Sequence, residues 1–208
     1  PARELWHDTP LKLELNDFTR AEAPAAERDR YNFLVCNPPY VRHHHLANAE
    51  KMRLQWAGKA ACGIHLAGLA GLYCYFLCLS HPWMQQGGIA GWLIPSEFMD
   101  VNYGDAVKRY LLTRVTLLRI HRFDPLDVQF EDALVSSAVV WLKNAPSPAG
   151  HEVEFTFGGT LAKPGISRTV PTTSLMTEAK WTRFPRQAVR DEKFRYSLSD
   201  LFIIKRGI

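Results

Sequence analysis

An apolar run, Tyr31-Asn-Phe-Leu-Val-Cys36, passes directly into Asn37-Pro38-Pro39-Tyr40. No other stretch constrains the fold as much. The run has the aromatic and β-branched content of a buried strand. Two consecutive prolines cannot donate to a strand ladder, so the strand must stop there. Ligands of open α/β sheets bind at the carboxyl ends of strands, which is where Asn37 and Tyr40 fall. The residue types suit transfer of a group to an exocyclic amine. An Asn side chain offers a carbonyl to accept an N–H bond. The prolines fix the backbone and leave their own carbonyls free. Tyr offers a flat face for stacking a planar base. The bland alternative is a strand-ending turn.

The remaining pattern predicts an α/β fold with a mostly parallel sheet. Lys12 to Leu15 alternates as a short strand and ends in Asn16-Asp17-Phe18, a turn. Residues 20–30 read as a surface helix or loop. Residues 41–71 begin Val-Arg-His-His-His, become rich in Gly and Ala, and are expected to form a mobile lid or clamp beside the site. Leu72 to Met84 predicts a buried helix broken by Gly87-Gly88, and Ile89 to Ile94 a strand closed by Pro95. Asp100 to Leu112 predicts an amphipathic helix, and Val115 to Ile120, Ala133 to Leu142 and His151 to Phe157 further strands. Ala145-Pro-Ser-Pro-Ala-Gly150 reads as a boundary. The chain is irregular after Gly158.

The net charge of +4 permits a polyanionic partner without requiring one. Lys180, Arg183, Arg186, Arg190, Lys193, Arg195, Lys205 and Arg206 crowd the last thirty residues against Asp191, Glu192 and Asp200. No run is apolar enough to span a membrane, and the chain opens on no signal-peptide pattern. The four cysteines form no Cys-x-x-Cys pair and read as buried, reduced thiols, so a cytoplasmic protein is expected. His43 to His45 read as a solvated loop, since adjacent residues rarely converge on one metal ion.

Together these segments resemble the gamma-class adenine-N6 DNA methyltransferases of restriction–modification systems. Asn37-Pro38-Pro39-Tyr40 is similar to that family's catalytic motif. Asn16-Asp17-Phe18 resembles the acidic turn that holds the cofactor's adenine. Gly71-Leu-Tyr-Cys-Tyr-Phe76 followed by Gly87 through Ser96 resembles the next helix–strand pair. Gln129-Phe130-Glu-Asp-Ala133 resembles a base-stacking turn, and Leu201 to Ile208 the opening of a recognition domain. Two features depart from the family pattern. Gly71 stands where the family usually has Asp or Asn, and neither the Gly-rich cofactor turn nor the acidic residue that grips the ribose is found.

The resemblance implies a Rossmann-like S-adenosylmethionine-dependent methyltransferase fold that lacks its N-terminal strands. It divides the chain into part of a catalytic domain (1–146), a connecting segment (147–196) and the start of a target-recognition domain (197–208). It implies double-stranded DNA as partner, with an absent part of the same protein or a restriction subunit as a further one. Asn37 and the Pro38 carbonyl would accept the two N–H bonds of a flipped adenine. Tyr40 and Phe130 would stack on that base. Asp17, Phe18 and Pro39 would contact the cofactor, and Arg42, Lys205 and Arg206 the DNA backbone. Two alternatives stay open. One is a glutamine or RNA methyltransferase sharing the motif. The other is an inactive fragment without the cofactor loop, whose motif strand would present an open apolar edge.

Overall fold

A computed structural model describes residues 12–124, 136–185 and 202–203. Six strands form one sheet in the order β1-β2-β4-β3-β5-β6. They are β1 (Tyr31–Cys36), β2 (Met84–Pro95), β3 (Thr116–Arg122), β4 (Ser137–Lys143), β5 (Glu152–Gly159) and β6 (Pro164–Pro171). β1 pairs parallel with β2, and β3 with β5. β4 runs antiparallel between β2 and β3, and β6 antiparallel beside β5. Four strands therefore share one direction, and the sheet is mixed. β1 lies at one edge.

Among the described residues four α-helices accompany the sheet: α1 (Asn48–Cys62), α2 (Leu72–Leu79), α3 (Gly104–Thr113) and α4 (Thr172–Thr177). Ala90, Trp92 and Ile94 of β2 and Val140 and Leu142 of β4 are buried in one cluster with Tyr75 and Leu77 of α2 and Val107 and Leu111 of α3. This apolar packing is the main cohesive contribution of the fold.

Several expectations are corrected. Lys12 to Leu15 is not a strand. The expected lid over 41–71 is largely helix α1, which buries Leu54, Gly58 and Cys62 along one stripe of spacing four. Gly63 ends it in the left-handed conformation at φ 74°, a position that favours glycine. The helix from Leu72 stops at Leu79, because Pro82 follows in a short 3₁₀ turn. Gly87 and Gly88 do not separate a helix from a strand; both lie inside β2. Gly87 has φ +79°, and a Cβ on Gly88 would lie 3.1 Å from the Tyr31 carbonyl oxygen. The β1–β2 register shifts between Tyr31 and Phe33, beside these glycines. Among the described residues after Gly158 the chain is not wholly irregular but forms β6 and α4.

Candidate active site

The motif leaves the carboxyl end of β1 and turns across the end of β2. Cys36, the last residue of β1, pairs with Trp92. Pro38 is buried, whereas Asn37 and Pro39 are exposed. The Asn37 amide has no hydrogen-bond partner among the described residues. Tyr40 is half-buried, and its hydroxyl donates to the Leu93 carbonyl at 3.0 Å. The chain then passes to Val41, whose carbonyl accepts from the Leu72 N–H at 2.8 Å. The motif is thus pinned between the end of β2 and the start of α2. Burial raises the Cys36 thiol to about 11, so the residue before the motif is a protonated, inert thiol.

A cavity of about 670 Å³ opens beside Tyr40. That volume is within the range of small-molecule sites. Val41, Arg42, His43 and His44 form one wall, and Gly71 and Tyr73 at the start of α2 a second. Pro95, Ser96, Glu97, Asp100 and Tyr103 form a third. Arg122, Ser136 and Thr182 also line it. Pro95, Arg122 and Ser136 mark the same end of β2, β3 and β4, so the cavity sits where the sheet's direction predicts a ligand. The Ser96 hydroxyl donates to Ser136 at 2.9 Å. Asp100 accepts from the Thr182 N–H at 3.2 Å and from its hydroxyl at 2.5 Å. Trp181 beside it is fully buried, with its indole N–H on the Leu175 carbonyl at 3.2 Å. These contacts fix the segment after α4 against the rim.

Asp17 and Phe18 do not line this cavity. Asp17 is exposed and caps its own turn, accepting from the Thr19 N–H at 2.9 Å and the Thr19 hydroxyl at 2.7 Å. The Thr19 donors, with Arg20 and Arg53 nearby, hold its carboxylate below the ordinary range. Phe18 packs on Phe76 and Trp83 at centroid distances of 5.2 and 5.4 Å. Arg53 of α1 donates to the Thr19 carbonyl at 2.8 Å. That bond ties the Asp17 turn to the helix that follows the motif segment.

Arg42, His43 and His44 lie on the cavity wall, and His43–His45 form a 3₁₀ turn. Desolvation and the neighbouring His45, His43 and Arg42 charges lower the His44 pKa. Among the described residues no cluster of three or more His, Cys, Asp or Glu is arranged to hold a metal ion. Phe130, Lys205 and Arg206 lie outside the described residues, as does the rest of the basic run beyond Arg183. The sequence did not single out Tyr73, Glu97, Tyr103, Arg122 or Thr182 as site residues. Only the fold brings these scattered positions together.

The structure is similar to that of the type IIG restriction endonuclease BpuSI, with a TM-score of 0.56 and 16% identity, covering 77% of this chain and 21% of that one. It is also similar to a type I restriction-modification methyltransferase subunit from Streptococcus thermophilus, with a TM-score of 0.51 and 15% identity, covering 68% of this chain and 29% of that one. Both likenesses concern the fold, which is that of the Rossmann-like class I methyltransferases. In sequence the chain is 27% identical over 176 residues to the type II methyltransferase M.XamI of Xanthomonas campestris pv. amaranthicola, covering 83% of this chain and 33% of that protein. It is 32% identical over 117 residues to the type II methyltransferase M.AccI of Acinetobacter calcoaceticus, covering 56% of this chain and 21% of that protein. The chain thus spans a third or less of the length of these relatives. Residues 3–129, more than half of the chain, match the model of one family. The chain belongs to the Eco57I restriction-modification methylases.

Proposed function

We propose that this chain carries the catalytic motif of a site-specific DNA methyltransferase. It moves a methyl group from S-adenosylmethionine to the N6 amine of a flipped-out adenine, in a restriction–modification setting. One observation carries the reading: Tyr40 stands in the wall of the 670 Å³ cavity at the strand ends, while the Asn37 amide three residues earlier is free of described partners.

The adenine amine is a poor nucleophile, because its lone pair is delocalised into the ring. The Asn37 side-chain carbonyl and the Pro38 main-chain carbonyl accept its two N–H bonds. Both acceptors match the positive charge that develops on nitrogen, and they favour a pyramidal amine with its lone pair directed at the methyl donor. Tyr40 stacks on the base, with its ring held by the hydroxyl bond to Leu93, and Phe130 packs from another side. Arg42 at the rim, with Lys205 and Arg206, neutralises phosphates.

The chemistry of the Asp17 turn fits the cofactor's adenine end: an exposed carboxylate with acceptor capacity stands beside the Phe18 ring. Asp17 and Phe18, with Pro39 from the motif, would hold the cofactor, which supplies an electrophilic methyl on a sulfonium. Residues 1–146 are read as part of the catalytic domain, 147–196 as a connector and 197–208 as the start of the recognition domain. The full-length protein acts in the cytoplasm on double-stranded DNA, beside a restriction subunit or domain.

Asn37→Ala tests this in the full-length protein. Methyl transfer should fall by roughly two to three orders of magnitude, while S-adenosylmethionine affinity stays nearly intact. Retained methylation would sink the assignment.

A further inference from the structure

The cavity contains a hydroxyl pair that the proposed mechanism does not use. Tyr73 is only 2% exposed, yet lines the cavity. Its ring fills the space in front of residue 71: a Cβ on Gly71 would lie 3.1 and 3.2 Å from two Tyr73 ring carbons and 3.3 Å from the Val41 carbonyl oxygen. The glycine therefore makes room for this ring. The Leu72 N–H bond to Val41 ties the helix start to the chain leaving the motif, so Tyr73 is positioned one residue beyond a fixed point of the site.

The Tyr73 and Tyr103 hydroxyl oxygens are 3.5 Å apart, and either can be the donor by geometry alone. With Tyr73 as the donor, its proton rests on this one long, weak contact. Burial first, and then the neighbouring Cys74, push the Tyr73 pKa up, so the hydroxyl remains a donor across the working pH range.

A buried donor with a weak partner is suited to exchange that partner for a ligand acceptor. We propose that the Tyr73 hydroxyl is a specificity-determining donor for the base in this cavity, turning from Tyr103 to the ring nitrogen beside the exocyclic amine. The inference rests on the reading of the cavity as a base site. Under that reading the amine's two N–H bonds go to Asn37 and Pro38. The adjacent ring nitrogen, N1 in adenine, is then the acceptor left to satisfy. A base lacking that acceptor leaves the Tyr73 proton on its poor partner and binds more weakly.

The test pairs Tyr73→Phe in the full-length protein with a DNA substrate whose target adenine is replaced by 1-deazaadenine, which carries C–H in place of N1. Thermal melting of the variant checks that losing one oxygen leaves the fold intact. In the unsubstituted protein the deaza base should lower kcat/KM by about tenfold, the value of one hydrogen bond. In Tyr73→Phe the same base change should cost almost nothing. An equal penalty in both proteins, with adenine methylated normally, overturns the Tyr73 role and leaves the proposed function standing. Absence of any transfer to adenine by the unsubstituted protein overturns both.

Discussion

One face of the sheet differs sharply between its two ends. At the β3–β5 end it is polar and mutually bonded. His121 Nδ1 lies 2.9 Å from the Thr156 hydroxyl, Arg119 pairs with Glu154 at 3.3 Å, and Arg119 Nε donates to Thr156 at 3.3 Å. At the β1–β2–β4 end the same face carries Phe33, Val35, Ile89 and Trp141. Phe33 and Val35 are 56% and 69% exposed, and Phe33 stacks on Trp141 with a centroid distance of 6.4 Å. The opposite face of the same strands buries Ala90, Trp92 and Ile94 almost completely. At the polar end the bonded pair His121 and Thr156 is itself buried, at 0% and 1% exposure. An apolar edge strand is a surface for further packing or association. Asn37-Pro38-Pro39-Tyr40 follows directly from this strand.

The largest effect should separate the two faces. Trp92→Ala, on the covered face, should cost about 3–5 kcal/mol by denaturant unfolding, whereas Phe33→Ala should stay within about 0.5 kcal/mol. Equal costs would mean that the outer face is as well packed as the inner one. Gly91→Ala should come next. Its Cβ would land 2.6 Å from the Trp141 ring, so the ring must swing outward, at about 1–3 kcal/mol. A neutral result would show Trp141 already lying clear of Gly91.

The smallest effect concerns the polar end and follows pH. Burial lowers the His121 pKa below its ordinary 6.5. The fold therefore favours the neutral ring. Its stabilisation is complete above the unfolded-state value near 6.5 and is lost as pH falls from there through the folded-state pKa. His121→Gln, which can still bond Thr156 but cannot titrate, should flatten part of the fall in melting temperature below pH 6.5. An unchanged pH profile would remove His121 from that account.

Sequence reading succeeded where one local signal was strong. The strand before Asn37, its abrupt end at two prolines, and the run from Ile89 to Pro95 are legible from apolar content and missing N–H donors. Helix α1 was hidden because its buried stripe is only Leu54, Gly58 and Cys62, amid Ala and Lys that read as loop. Its one clear punctuation is the stop at Gly63. β6 was hidden because most of its side chains are exposed; it is held by backbone pairing with β5, which leaves no alternation to see. The motif itself was legible because its chemistry lies in consecutive residues. The cavity walls from Tyr73, Glu97, Tyr103 and Thr182 come from three separate segments, and only the sheet topology makes them neighbours.

The central claim is the identity of the methylated atom. DNA exposed to the full-length protein and S-adenosylmethionine should be digested to nucleosides and resolved by mass spectrometry. The account predicts N6-methyldeoxyadenosine, formed far more slowly by Asn37→Ala. Methylated cytosine in its place, or methyl transfer to protein with none to DNA, would contradict it.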